Sequence, residues 1–237
     1  MKNIFVACDF SQAANHACRF AIELALATGG KVLVVSIIEF GSVNGYKISQ
    51  CTYKDQIAVL SELMEKAEND FMNLKHGIDI GYDQVNFFIE VGSVKEMLLK
   101  LIREQEIDLV ITGASGEKWF EKQYPGSNSE KIAFYMPVPV LTVYGAMHVS
   151  EVQNINLALF NSMDLVNDAA DKIKALQSCF QAELDIVNGI GKLNTELENT
   201  IIALAAPNKT DLQDMLVNME SSANYRPAVW TYICNPN

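Results

Sequence analysis

Lys2-Asn-Ile-Phe-Val-Ala-Cys-Asp-Phe-Ser11 runs directly into Gln12-Ala-Ala-Asn-His-Ala-Cys-Arg-Phe-Ala-Ile-Glu-Leu-Ala-Leu-Ala-Thr28, and after Gly29-Gly30 comes Lys31-Val-Leu-Val-Val-Ser-Ile-Ile38. Three patterns follow one another. Asn3 to Cys8 is an apolar run of strand length, closed by the turn chemistry of Asp9 and Ser11. From Gln12 the residues Ala14, Ala17, Cys18, Ala21, Leu24 and Ala25 recur at three and four, which places them on one face of a helix. Ser11 is positioned to cap that helix and Gly29 to end it. Val32 to Ile38 is continuous and rich in β-branched residues, as in strands of a parallel sheet buried on both faces.

The same alternation continues downstream. Residues 39–55 read as a loop, and Ile57 to Leu74 as a helix with Leu60, Leu63, Met64, Ala67, Phe71 and Leu74 on one face. Val85 to Val91 is a third strand. Ser93, with Glu96 three residues on, reads as a capping box ahead of a helix whose stripe is Val94, Met97, Leu98, Leu101 and Ile102. Ile107 to Thr112 is a fourth strand, and Gly113 is taken to begin a loop. Ser127 or Asn128 opens a short helix to Tyr135, and Val138 to Tyr144 is a fifth strand. This order predicts an α/β fold, a parallel five-stranded sheet with helices on both faces. Ligands on such sheets sit at the carboxyl ends of the strands, near a switch in strand order.

The chain then starts again. Asn3, Ile4, Ala7 and Ser11 are matched by Asn154, Ile155, Ala158 and Ser162, and Lys31 to Ser36 by Glu183 to Asn188. Thr200 to Ala206 corresponds to the fourth strand, Asp211 to Met219 to a helix, and Pro227 to Cys234 to the fifth strand. This predicts an internal repeat, with one domain over 1–146 and an abbreviated α/β repeat over 151–237. Only residues 189–199 separate the second and fourth strands of the later copy, so a third strand and two helices have no room. A length of 237 residues, about one and a half domains at roughly 150 residues each, agrees. The alternative is two unrelated α/β segments sharing a common pattern.

Acidic residues outnumber basic ones 29 to 18, for a net charge of −11. That balance opposes binding to a nucleic-acid backbone or an anionic membrane. Apolar residues form 49% of the chain, yet no run approaches the roughly 18–20 residues of a membrane span. The five cysteines lack a C-x-x-C pair and read as free thiols in a reducing, cytoplasmic setting. Three dispersed histidines offer no metal or triad spacing.

The stretch with chemistry is Gly113-Ala-Ser-Gly116, nine residues, then Gly126-Ser127-Asn-Ser129, a G-x2-G-x9-G-S pattern between a strand and a helix. Glycines let a ligand approach the backbone. Amides at a helix start attract anions, and the hydroxyls of Ser127 and Ser129 add donors. The other reading is a glycine-rich connection with no ligand. Lys118 and Lys122 read as γ-phosphate partners or solvated lysines, and Asp9 as a ligand residue or a helix N-terminal acid. Cys8 and Cys18 read as packing, and no nucleophile is paired with a base.

At this point the chain resembles the universal stress protein family. The resemblance rests on Ile4-Phe-Val-Ala-Cys-Asp9-Phe-Ser11, Val91-Gly92, Asp108-Leu-Val-Ile, the glycine motif, and Pro137-Val-Pro-Val-Leu-Thr-Val143. It covers residues 1–146, and the abbreviated repeat is similar to a degenerate second copy, as in tandem members. It implies an adenine nucleotide α-hydrolase-like fold and binding of ATP or AMP, with Mg2+ at the phosphate end. By position it implies that Asp9 holds the ribose and adenosine end and that the Ile37 backbone meets adenine. Gly113, Gly116, Gly126, Ser127, Asn128 and Ser129 would surround the phosphates. Asn128 departs from the small apolar residue usual there, and Trp119, Phe120 and Tyr124 make the loop bulkier than usual. In the second copy Phe160 stands at the place of Asp9 and nothing like G-S follows, so one site per chain is expected.

The expected role is regulatory, with little or no turnover. The alternatives are an adenosine-nucleotide α-hydrolase-type enzyme and an interaction module that has lost its ligand. The resemblance also implies dimerisation through the fifth strand. Here the two copies' fifth strands are expected to pair within the chain, leaving the uncovered side of the short copy to a homodimer.

Overall fold

The computed structural model describes residues 1–39, 53–76, 84–114, 128–160, 163–189, 199–220 and 228–233. β1 (Asn3–Ala7), α1 (Gln12–Thr28) and β2 (Lys31–Ile38) form where the alternation places them. Ser11 caps α1, its Oγ accepting from the Ala14 amide at 3.3 Å. Gly29 ends α1 in the left-handed conformation, φ 67°. Then come α2 (Tyr53–Lys75), β3 (Val85–Val91), α3 (Val94–Glu104), β4 (Leu109–Ala114), α4 (Asn128–Tyr135) and β5 (Val140–Tyr144). Beyond a 3-10 turn at Val149–Glu151 lie β6 (Asn154–Leu159), α5 (Met163–Phe180), β7 (Glu183–Asn188), β8 (Thr200–Ala206), α6 (Lys209–Glu220) and β9 (Ala228–Ile233).

Among the described residues nine strands join one sheet, in the order β3-β2-β1-β4-β5-β9-β8-β6-β7. Neighbours run parallel except at β5 and β9, which are antiparallel. The fold is α/β with a mostly parallel sheet. The fifth strand and Ala228–Ile233, the described part of the later segment expected to pair with it, do so as β5 and β9. Val140 lies opposite Thr231, Leu141 opposite Trp230 and Thr142 opposite Val229. Val-Leu-Thr of one strand thus faces Val-Trp-Thr of the other, run backwards, with Leu141 and Trp230 at the centre. The β6 connections mirror those of β1: β6 pairs with β7 on one side and β8 on the other, as β1 does with β2 and β4.

Apolar residues on both faces of the strands dictate two helical layers. On one side α1, α2 and α5 cover Ile4, Val6, Val34, Leu109, Leu141, Ile155, Leu157 and Trp230. Phe20 of α1 meets Phe180 of α5, ring centres 6.0 Å apart, over the β5–β9 seam. On the other side α3 and α4 cover Phe5, Leu33, Val35 and Val110, while α6 covers Ile202, Leu204 and Val229. Each such fully buried aliphatic side chain contributes about 1.5–3 kcal/mol.

Two local expectations are corrected. Ser93 sits at the N-cap of α3, but its side chain makes no capping bond. The Val94 amide instead donates to Glu39 Oε1 at 3.2 Å, so a carboxylate at the end of β2 serves that helix start. Gly113 does not begin a loop: Gly113 and Ala114 remain in β4, paired with Val143 and Tyr144. The reason is tertiary and lies in the packing of α1.

Candidate functional site

From β1 the chain moves to β2 and β3 on one side, then returns to β4 on the other. The carboxyl ends of β1 and β4 therefore flank a switch in strand order, the place where folds of this kind bind ligands. Asp9 lies two residues past the end of β1, Ile37 near the end of β2 and Gly113 near the end of β4. The sheet order β2-β1-β4 puts these three predicted positions at adjacent strand ends.

Asp9 is exposed. Its Oδ1 accepts from the Ser11 amide at 3.0 Å, closing a turn over Phe10. Its other carboxylate oxygen makes no hydrogen bond among the described residues. Phe10 adopts φ 59°, a left-handed conformation that costs a non-glycine residue about 1–2 kcal/mol. Asn15 Nδ2 donates to the Phe10 carbonyl at 3.3 Å. The Phe10 ring sits edge-on to Phe87 of β3 at 5.9 Å, and Phe87 stacks on Phe71 of α2 at 4.3 Å. Neither the turn conformation nor the part of Asn15 was foreseen. Asp-x-Ser is a turn signal, but a bulky residue gives no hint of positive φ.

Gly113 is where α1 crosses the sheet. A Cβ there would stand 2.1 Å from the Ala13 carbonyl oxygen and 2.8 Å from the Ala14 nitrogen. Glycine at this position lets the first turn of α1 lie directly on β4. The space of the missing side chain is thus taken by α1 and is not left open to a ligand.

Asn128 and Ser129 open α4, the helix that follows the β4 connection. Gly116, Gly126 and Ser127 lie outside the described residues, as do Lys118, Trp119, Phe120, Lys122 and Tyr124. The described residues bring to this end of the sheet a carboxylate with one oxygen unbonded among the described residues, the Gly113 backbone packed under α1, and the start of α4.

Cys8, just past β1, and Cys18, within α1, are both buried in the same core. Hydrogen bonding with Cys8 and then burial push the Cys18 thiol well above its ordinary value, which keeps it protonated and unreactive. In the later half Phe160 follows β6 where Asp9 follows β1. Asn208 caps α6, Oδ1 accepting from the Asp211 amide at 3.0 Å and Nδ2 donating to its carboxylate at 2.8 Å.

Residues 1–144 match the family model described as the universal stress protein family. A Staphylococcus haemolyticus protein that carries the universal stress protein name is 29% identical over 143 residues, covering 60% of this chain and 84% of its own. The crystal structure of a universal stress protein from Archaeoglobus fulgidus superimposes with a TM-score of 0.62 at 13% identity. It covers 98% of this chain and 96% of that one. A functionally unknown protein from Pseudomonas aeruginosa gives a TM-score of 0.52 at 11% identity, over 98% of this chain and 92% of its own. These two likenesses show the fold. With a family model matching well over half of its length, the chain belongs to the universal stress protein family.

Proposed function

We propose that this protein is a regulatory universal stress protein that binds one adenine nucleotide, ATP or AMP, at the carboxyl ends of β1 and β4. The observation that supports this best is the adjacency of Asp9, Ile37 and Gly113 at neighbouring strand ends of the switch point. In this reading the partner-less oxygen of Asp9 takes a ribose hydroxyl and the Ile37 backbone meets adenine. Gly113, Gly116, Gly126, Ser127, Asn128 and Ser129 surround the phosphates. With a net charge of −11, Mg2+ is the natural counter-charge there. No general base is in view, so turnover belongs far below the enzyme median of about 10 s⁻¹.

One site per chain follows from the later half, read as a degenerate copy over 151–237. Phe160 offers no carboxylate, and at the α6 start the Asp211 amide is already taken by Asn208. A homodimer completes the reading, because β7 leaves Ile186 42% exposed at the sheet edge.

Calorimetric titration with ATP and Mg2+ tests the assignment. Gly126→Asp places a carboxylate among the phosphate groups and should abolish binding with the fold intact by circular dichroism. Unchanged affinity in that variant would remove the site.

A further inference from the structure

We propose that Asn15 is a positioning residue for nucleotide binding, acting on Asp9 through the left-handed peptide at Phe10. The inference rests on the nucleotide reading above and deepens it.

The Asp9 carboxylate is presented by a turn, and the turn depends on Phe10 at φ 59°. With Phe10 left-handed, the Ser11 amide reaches Asp9 Oδ1 at 3.0 Å. One carboxylate oxygen is then fixed and the other is left for a hydroxyl of the ligand. A bulky residue resists this conformation, so something outside the turn must hold it. Asn15 is the polar restraint, its amide donating to the Phe10 carbonyl at 3.3 Å. The Phe10 ring against Phe87 is the apolar one.

Asn15 is not retained for capping, since Ser11 already serves the Ala14 amide. Nor does a purely stabilising role suit it: Asn15 Oδ1 is buried and has no hydrogen-bond partner among the described residues. A buried lone acceptor opposes folding, so removing the whole amide deletes that penalty along with the useful donor. Asn15→Ala should therefore leave stability nearly unchanged while it loosens the turn and weakens binding. A structural residue would lose both together.

The test is a cycle of Asn15→Ala and Phe10→Gly on the full chain, with ATP–Mg2+ calorimetry and thermal melting of each variant. Asn15→Ala is expected to weaken binding about tenfold, 1.4 kcal/mol, with Tm within about 3 °C of the parent. Glycine takes positive φ without restraint. In the Phe10→Gly background, Asn15→Ala should therefore change affinity by less than about threefold, 0.65 kcal/mol, even though loss of the ring lowers Tm. If the parent binds ATP and Asn15→Ala binds it equally well, this inference fails alone. It also fails if Asn15→Ala weakens binding equally in both backgrounds. If the parent itself binds neither ATP nor AMP, the nucleotide reading falls and the inference falls with it.

Discussion

Gly113 ties the glycine motif to the packing of α1. Its missing Cβ is the space occupied by the Ala13 carbonyl, 2.1 Å from where that carbon would be. Gly113→Ala must push the first turn of α1 off β4, and backbone cannot yield as a side-chain tip can. We expect a loss of about 3 kcal/mol, read as a lower denaturant midpoint in urea unfolding at unchanged slope. A midpoint equal to that of the parent would show that α1 can shift freely. Such a residue is only half legible in sequence. The glycine and its place at a strand end could be read from Ile107 to Gly116, but the helix backbone resting on it comes from residues 13 and 14, a hundred positions away. Phe10 hides its conformation for another reason: the side chain that disfavours positive φ is the one observed there.

At the scale of elements, periodicity exposed nearly every helix and strand, because each buries a face or a stripe whose spacing is local. What it could not expose is what one element lends another. The start of α3 is served by Glu39, 55 positions from Val94, and not by the adjacent Ser93. The segment after β5 is likewise held from afar. Glu23 of α1 accepts from the Val149 amide at 2.9 Å and meets His148 Nδ1 at 2.7 Å, while Glu151 Oε2 takes the His148 amide at 2.9 Å. The hydrogen bond to Glu23 and then its charge raise the His148 pKa, against an opposing Arg19. A raised folded-state pKa stabilises fully below the unfolded value of about 6.5 and is lost as pH rises through the folded value. The His148 side chain is 58% exposed, so solvent screening holds the contribution to a few tenths of a kcal/mol. His148→Ala should therefore lower Tm slightly at pH 5.5 and converge on the parent by pH 9. A gap that widens with pH would refute the pairing.

Across the whole molecule, β5 is an interior strand only because β9 covers it. Leu141 and Val143 are fully buried beneath the shared helical layer, and Thr142 lies opposite Val229. A chain cut after residue 146 would present this strand as a bare apolar edge, which invites pairing with another copy. Light scattering of residues 1–146 should show dimers or larger species, and a soluble monomer would deny β9 its covering role. The full chain is expected to be a homodimer in sedimentation equilibrium at micromolar concentration. The seam was foreseeable because Val138–Tyr144 and Pro227–Cys234 both read as strands needing a neighbour. Among the described residues the later half has four strands and two helices, and only residues 189–199 lie between β7 and β8.

The antiparallel seam centred on Leu141 and Trp230 joins two half-sheets by a covalent tether instead of by association. A contact between separate chains dissolves on dilution, whereas tethered partners meet at an effective concentration fixed by the connecting segment, of millimolar order for short linkers. Residues 145–153 are such a segment, clamped by Glu23. β5 has the same neighbour across the seam at nanomolar as at millimolar protein. The completeness of the sheet at β5 therefore does not depend on how much of the protein is present.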